Sequence, residues 1–538
     1  MKRVYTFLIF IILLLSQLSL LYAQNEDLQE LGQQAGIDKI SKALTIITGF
    51  YVDSVDTDKL VTSAIKGMLK ELDPHSVYFN ADEIKRANDR LLGNFTGIGI
   101  HYEMIEDTIV VLHPLPYGPS AMAGVLAGDR LISINGNKAT GNHANTAWIS
   151  KKLRGEAGTV VTMEFLRPGE SKLITLEIER AKIPINSLDA GFMLSEKTGY
   201  IKLNKFSRTT MAEFNKSFDA LEKSGMRNLI LDLRGNSGGY LDVANKLTDV
   251  FLKKKLLMVY TEGINSKKKE YFSTRKGKFE KGSLVILIDE RSASASEIVA
   301  GAIQDWDRGL VIGRRSFGKG MVQKPYTLPD GSVIRLTVAR YYTPTGRLIQ
   351  RPYDKGKEAY YDEIRKRTTN NTNEHIDSIS IPDSLKFYTP NHRMVIGGGG
   401  IVPDVIVPPD TTAINELYKN IRNANLINRF ILQQVDKKRD SLLQQYPDTD
   451  AFIQKYPTQP TGFDQFIAYC KQKQLEIDED QLSIIKNRLE RALKRSYARH
   501  LYDYSSVFRV IATDDETIQK ALELIEEKNI AKRYNLKM

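Results

Sequence analysis

Leu284-Val-Ile-Leu-Ile-Asp-Glu-Arg-Ser-Ala-Ser-Ala-Ser-Glu-Ile-Val-Ala-Gly-Ala-Ile-Gln-Asp305 joins an unbroken apolar run to a helical pattern through a turn of small residues. The run Leu284–Asp289 predicts a buried strand, and Ala295–Asp305 predicts a helix. Working outward, Gly199–Leu203 and Asn228–Leu233 read as strands, Tyr240–Phe251 as a helix, and Gly309–Gly313 and Val333–Val338 as strands again. Strands alternating with helices imply an α/β sheet over residues 184–408.

The turn also carries chemistry. Ser292, Ser294 and Ser296 alternate, and Ser316-Phe-Gly-Lys-Gly-Met-Val-Gln323 follows, with no histidine between His143 and His375. A serine hydroxyl needs a base, and a neutral lysine can supply one in place of histidine. Lysine titrates near 10.4 in water, so it must be desolvated to about 7–8 to serve. Lys319 between Gly318 and Gly320 fits a loop of close backbone approach. Ser294-Ala-Ser-Glu297 equally has the form of a capping box, with Ser294 as N-cap and Glu297 at N3. The two readings coexist, because a helix N-terminus also favours an oxyanion. Spacing alone does not choose among the three serines. A second element, Asp232-Leu-Arg-Gly-Asn-Ser-Gly-Gly-Tyr-Leu241, ends a strand in a glycine-rich turn whose N–H groups can hold an oxyanion. Neither the Gly-x-Gly-x-x-Gly nor the Gly-Lys-[Ser/Thr] phosphate pattern is present there, which disfavours nucleotide binding.

The flanks differ from this core. Lys2-Arg3, an apolar run over Val4–Leu21 and Leu21-Tyr-Ala23 have the order of a secretory leader, cleaved after Ala23 and occupying 1–23. The length of the run leaves an uncleaved membrane anchor as the alternative. Residues 24–92 follow helical spacing up to the turn Leu72-Asp-Pro-His-Ser-Val77. Residues 93–183 change to short strands (Thr108–His113, Gly128–Gly136 with its Asn-Gly turn, Thr159–Leu166) around a helix at Asn145–Leu153. Residues 352–396 are polar and read as an insertion or loop, and 409–538 as helical and charged.

With 538 residues, 42% of them hydrophobic, several domains are expected. The single cysteine, Cys470, rules out an intramolecular disulfide, and no Cys/His cluster has metal-ligand spacing, so neither metal nor cofactor is expected. The net charge of +11 falls to +9 without Lys2 and Arg3; with an export leader, nucleic acid is not the expected partner. His75, His101, His113, His392 and His500 are scattered and read as surface or structural, with His101 or His392 the alternative route to a conventional triad.

The three motifs Asp232-Leu-Arg-Gly-Asn-Ser-Gly-Gly239, Ser292-Ala-Ser-Ala-Ser-Glu-Ile298 and Phe317-Gly-Lys-Gly-Met-Val-Gln323, in this order, resemble the core of the carboxyl-terminal processing peptidases, tail-specific serine proteases. Val338-Ala-Arg-Tyr-Tyr-Thr-Pro-Thr-Gly346 and Gly399-Gly-Ile-Val-Pro-Asp404 extend the likeness. The resemblance implies Ser294 as nucleophile, Lys319 as general base and Gln323 as the residue orienting the lysine. It implies an oxyanion hole from the amides of Ala295 and Gly239, with Gly238 the alternative register. Gly97, Ile98, Gly99 and Ile100 stand where a PDZ domain of this family binds a terminal carboxylate, and Pro116–Asp129 resembles the PDZ helix and turn.

The implied fold is multidomain α/β: a Clp-protease/crotonase-like peptidase core preceded by a PDZ domain, with helical N- and C-terminal regions. The implied activity is an exported serine endopeptidase of the cell envelope or periplasm, acting on protein or peptide substrates with free C-termini. The alternatives are a PDZ scaffold on an inactive core and an acyl-transfer enzyme of the crotonase type. The helical ends are candidates for homodimerisation or for docking a helical-repeat adaptor lipoprotein.

Overall fold

The computed structural model describes residues 33–141, 144–274, 277–369, 381–409, 414–456 and 460–537. The leader expected at 1–23, His143 and His375 lie outside them. The chain divides into two compact units, Met1–Leu72 and Asp73–Met538. In the first, residues 33–50 and Thr57–Lys70 are helical, the latter capped by Asp56, whose side chain accepts from the Lys59 N–H. This unit leaves Ile37, Ile40, Phe50, Val52 and Met68 exposed.

The second unit is built on a six-stranded sheet. Its order is Leu188–Met193, Thr198–Leu203, Asn228–Asp232, Leu284–Ile288, Leu310–Gly313 and Val405–Ile406. The first pair is antiparallel and the remaining pairs are parallel. Parallel strands bury both faces, which is why Leu284–Ile288 is apolar throughout. Leu229, Leu231, Leu284 and Ile286 pack against Phe214, Leu247 and Val299 from the helices Thr210–Lys223, Leu241–Asp249 and Ala295–Asp305. On the other face, Tyr200, Ile230, Val285 and Leu287 meet Ile518, Ala521 and Leu524 of the helix Glu516–Ile525. The helix Glu516–Ile525, late in the chain, thus covers the second face of this sheet.

A second sheet carries the site loops. Its long strand Val333–Tyr342 pairs with Val77–Phe79, Leu257–Gly263 and Met321–Thr327, and Leu257–Gly263 pairs with Ser266–Phe272. Lys267–Lys269 lie on the strand Ser266–Phe272 with their side chains exposed.

The small domain has a sheet ordered Ile100–Ile105, Thr108–Pro114, Arg130–Ile134, Val160–Leu166, Ile174–Glu179, with Asn137–Lys138 paired to Arg130–Ile134. The hairpin turn Asn135-Gly136 has positive φ at both residues (46° and 73°), as a tight two-residue turn requires. The helix Thr146–Leu153 is capped by Asn145.

The polar stretch 352–396 is not a plain loop. It forms the helix Gly356–Thr369 and the hairpin Lys386–Tyr388/Met394–Ile396, with residues 370–380 outside the described set. It has little apolar periodicity because it buries Tyr360 and the polar Arg367 rather than an aliphatic stripe. Beyond residue 414 the helices Leu426–Gln445, Pro460–Gln472 and Glu479–Leu501 share a core of Phe430, Ile431, Phe466, Ile485 and Leu489, with Cys470 buried among them.

Candidate active site

The strand Leu284–Ile288 delivers the serine turn to the edge of the core, and Ser294 sits at φ 55°, ψ −110° immediately before the helix Ala295–Asp305. That is a strained backbone for a residue with a Cβ, and such strain concentrates at functional sites. The structure separates the three serines. Ser292 Oγ donates to Leu233 O (2.8 Å) and Ser296 Oγ to Asn236 O (2.8 Å), and both residues are fully buried. They staple the serine turn to the glycine-rich turn, whereas Ser294 is half-buried.

Gly238 packs against this serine so closely that a Cβ there would lie 2.9 Å from Ser294 Cβ and 3.0 Å from Ala295 N. Its φ of 94° also belongs to glycine. The Gly238 N–H is taken by Asn236 Oδ1 (2.9 Å). Gly239 bridges to Phe206 through its neighbours, with Phe206 N–H donating to Gly238 O and Tyr240 N–H to Phe206 O. The Gly239 N–H takes no part in that bridge. Ala295 is the first residue of its helix, where backbone N–H groups lack intrahelical acceptors.

The lysine loop arrives from the other side. A Cβ on Gly318 would lie 2.5 Å from Arg351 Cγ, and one on Gly320 2.9 Å from Gln350 N, so the flanking glycines allow the loop to lie flat on its neighbours. Burial lowers the Lys319 amine to about 8, and Arg335 and Lys205 add to the change. Lys319 Nζ donates to Gln323 Oε1 (2.7 Å). Gln323 lies on the strand Met321–Thr327, and its Nε2 donates to His75 O, which fixes the amide with its oxygen toward the lysine.

Two residues join the loops. The capping box read at Ser294 and Glu297 forms, and in it the Ser294 N–H donates to Glu297 Oε2 (2.7 Å). The same carboxylate accepts from Ser316 Oγ (2.5 Å), Gly318 N–H (2.6 Å) and Lys319 N–H (2.9 Å). Burial raises its proton affinity and these donors oppose the rise. Tyr341 OH donates to Ser294 O (3.1 Å) and to Lys319 O. Among the described residues no hydrogen bond runs directly from Lys319 Nζ to Ser294 Oγ.

Among the described histidines His75 is the one at the site, read from sequence as a structural or surface residue in a helix-ending turn. Val77–Phe79 pairs with Val333–Tyr342 and so carries it there. Its ring contacts Phe317 and Tyr360, and burial together with the Lys319 charge lowers it to about 3, so it is neutral. It contributes a carbonyl, not a base. His101 lies on the small domain's strand Ile100–Ile105, and His392 in the turn between Lys386–Tyr388 and Met394–Ile396. Glu297 and Tyr341 were within the quoted motifs, but only the structure shows what they tie together.

The four residues expected to receive a carboxylate lie apart from this cluster, in the small domain. Gly97 ends the strand Asn94–Gly97 and Ile100 begins Ile100–Ile105, with Ile98 and Gly99 as the link between them. Together with Phe95, Leu153 and Arg154 they line a pocket of about 150 Å³. Ile98 is buried in the domain core with Val111, Ile149 and Ile178, and its carbonyl accepts from Ser120 N–H (3.0 Å) and Ser120 Oγ (2.7 Å). Gly99 turns the chain at φ 73°, and its carbonyl accepts from Leu115 N–H (2.9 Å). The Ile98 side chain is thus committed to packing and Gly99 has none, so both can serve a ligand only through the backbone. Ile100–Ile105 is the edge strand of its sheet, open to an added strand. Arg154 stands over the Phe95 ring and pairs with Asp89 (3.0 Å).

Fold and site together define a serine peptidase core preceded by a PDZ domain. The model of peptidase family S41 matches residues 197–355 and that of the PDZ domain residues 96–178. The N-terminal domain of the activating protease CtpB matches 15–83, and DUF8443, a family of unknown function, matches 417–503. The chain is 38% identical over 318 residues to the carboxy-terminal processing protease CtpB of Bacillus subtilis, covering 59% of this chain and 66% of that one. It is 38% identical over 305 residues to the carboxy-terminal-processing protease of Bartonella bacilliformis, covering 56% and 69%. The chain therefore spans about two thirds of the length of these relatives. A solved photosystem II D1 C-terminal processing protease is 29% identical, covering 57% of this chain and 83% of that one, with a TM-score of 0.33. The chain belongs to the carboxy-terminal processing proteases, the serine peptidases of family S41.

Proposed function

We propose that this chain is an exported serine endopeptidase that cleaves proteins selected by their C-terminal tails. Ser294 is the nucleophile, Lys319 the general base and Gln323 the residue that orients it. One observation carries the reading. The half-buried lysine's amine is held by a neutral amide, Gln323 Oε1, rather than by a carboxylate. An ammonium paired with a carboxylate stays protonated, whereas a desolvated amine on an amide acceptor releases its proton near neutral pH.

In the proposed cycle Ser294 Oγ attacks the scissile carbonyl as its proton passes to Lys319 Nζ. The oxyanion is received by the N–H groups of Gly239 and Ala295. Gly239 is preferred over Gly238 because the Gly238 N–H is already given to Asn236. Lys319 then protonates the leaving amine, and water, deprotonated by the same lysine, releases the acyl group. Catalytic hydrogen bonds often close only in the substrate complex, so the serine–lysine bond forms on binding.

The pocket at Gly97, Ile98, Gly99 and Ile100 is the proposed seat of the substrate's terminal carboxylate, with Arg154 the nearby cation and the Ile100–Ile105 edge receiving the tail as a strand. The apolar residues exposed on 33–72 favour a second copy of the chain as partner, with an adaptor protein the alternative. Export rests on the leader at 1–23.

The test is cleavage of an unfolded peptide with a free apolar C-terminus beside the same peptide amidated, read by mass spectrometry. Internal cleavage that is strong for the free peptide and weak for the amidated one is expected. No cleavage of either, or equal cleavage of both, defeats the endopeptidase and tail-recognition readings respectively.

A further inference from the structure

We infer that Lys205 and Arg335 form a subsite beside Ser294 and Lys319 that takes a carboxylate of the substrate close to the scissile bond. The inference rests on the peptidase reading and names a substrate group which that reading leaves open. On the second sheet the strand Val333–Tyr342 runs between Val77–Phe79 and Met321–Thr327. Thr337 stands opposite Gln323, and Arg335, two residues away, stands between Pro325 and Val77. Alternate residues of a strand share a face, as do residues paired across strands, so Arg335 lies on the face from which Gln323 meets Lys319. After burial, Arg335 is the charge that most lowers the Lys319 amine. Lys205 comes from the other side. It precedes Phe206, which bridges to Gly239, and its Nζ donates to Ser237 Oγ (3.1 Å) beside Gly238, the glycine packed on Ser294. Burial, and then the charges of Arg90 and Arg335, lower the Lys205 amine, so the two cations converge beside the dyad.

Neither cation has an anion. Both are half-buried. Among the described residues Lys205 holds only the Ser237 hydroxyl, and Arg335 makes no hydrogen bond, its guanidinium resting over the Phe79 ring (4.8 Å). The carboxylates nearby are already engaged. Asp73 accepts from His75 N–H, Ser76 N–H and Ser76 Oγ, and Glu297 from the four donors named above. Arg208, over the Tyr240 ring (4.0 Å), is paired with Asp242 (2.9 Å). Arg90, exposed in the last turn of the helix Ala81–Leu92, adds a further positive charge beside Lys205. Half-burying like charges without an anion is unfavourable. A substrate carboxylate laid between Lys205 and Arg335 supplies the missing partner and accepts charge-assisted hydrogen bonds from both. The Lys319 amine is lowered mainly by its own burial, so tuning it does not account for two unpaired cations.

The strand sets where the carboxylate falls. From Thr337, opposite Gln323, to Arg335 is a step of about 7 Å, which an extended substrate spans in about two residues. The carboxylate is therefore expected within about two residues of the scissile bond. Its source is an aspartate or glutamate side chain there, or the substrate's own C-terminus where the cut falls close to it, since the recognising chemistry is the same. A lysine or arginine of the substrate at that place meets two like charges and is disfavoured.

The test uses the mature protein and amidated peptides that differ only in carrying glutamate, glutamine or lysine at one position near the cut, at about 0.15 M salt, where long-range attraction is screened. At one such position kcat/KM is expected to be about tenfold higher for glutamate than for glutamine, and lowest for lysine. Lys205→Gln/Arg335→Gln should bring the glutamate and glutamine peptides level. Lys205→Glu, an independent variant should the first fold poorly, should invert the order of glutamate and lysine. Glutamine peptides cut close to a free C-terminus, beside their amidated forms, separate the sources: a preference for the free end that the double variant loses assigns the terminus, and its absence assigns the side chain. Binding of the same amidated peptides to Ser294→Ala, read by fluorescence anisotropy, gives the ranking without turnover. Absence of cleavage alone therefore defeats the peptidase reading, whereas equal binding of the glutamate and glutamine peptides, with no preference for a free end, overturns this inference. An equal fall in kcat/KM for both peptides in the double variant, with a shifted pH profile, also overturns it, because Lys205 and Arg335 would then only tune Lys319.

Discussion

Lys319→Met should stabilise the protein at neutral pH while abolishing its peptidase activity. In the folded chain the lysine is lowered from 10.5 to about 8 by burial. A tenfold change in proton affinity corresponds to about 1.4 kcal/mol, so holding the charged form costs about 3 kcal/mol at pH 7. Methionine keeps the length and fits an apolar niche. Gln323 Oε1 then loses its donor, which returns about 1 kcal/mol and leaves a net gain of about 2 kcal/mol. The pH dependence has a definite sign. Between pH 8 and 10.5 the unfolded lysine holds its proton and the folded one has released it, so wild-type stability rises with pH across that window. The methionine variant lacks this rise, so its advantage is complete below pH 8 and gone above 10.5. Paired denaturant unfolding of the two proteins from pH 7 to 10.5, followed by a peptidase assay, measures both halves. Lys319→Arg is the control: it cannot lose its proton in a protein, so it should be as inactive as methionine and gain no stability. A methionine variant that is less stable at pH 7, a stability difference independent of pH, or an active arginine variant would refute the reasoning, because Lys319 would then be a structural cation.

Glu297→Gln should lower kcat about a hundredfold with little change in KM, since one carboxylate positions both the serine and the lysine loop and the amide cannot accept from all four donors. A matching rise in KM, or loss of fold by circular dichroism, would make Glu297 merely structural. N-terminal sequencing of the protein from its native cell should begin at Gln24; finding residues 1–23 retained in the membrane fraction supports the anchor instead.

The core strands were legible in the sequence because a parallel sheet buried on both faces writes itself as apolar runs such as Leu284–Ile288. Ser294 and Lys319 were singled out by the resemblance of their motifs, since spacing alone left Ser292, Ser294 and Ser296 open. The bonding of side chains at long range was not legible. Ser292 and Ser296 are told apart from Ser294 only once their hydroxyls are seen to hold Leu233 O and Asn236 O. The loop Gly97–Ile100 was legible as a motif, but not that the Ile98 side chain packs in the core of the small domain and leaves only the backbone to face a ligand. His75 was unreadable as a site residue because its contribution is a carbonyl, brought to Gln323 by a strand pairing that no local pattern encodes. The helix Gly356–Thr369 was missed because Arg351, Glu363 and Arg367 pack as a paired polar cluster, which carries the composition of a loop. The apolar spacing of Ile518, Ala521 and Leu524 announces a helix, but not that it covers the far face of the peptidase sheet.

The most direct measurement is the residue that becomes acylated. A short peptide ester is mixed with the mature protein, quenched in acid within the first turnover, and mapped by peptide mass spectrometry. The account predicts one acyl group on Ser294, none on Ser292 or Ser296, and neither acylation nor turnover in a folded Ser294→Ala variant. An acyl group on another residue, or Ser294→Ala turning the ester over at the wild-type rate, contradicts it.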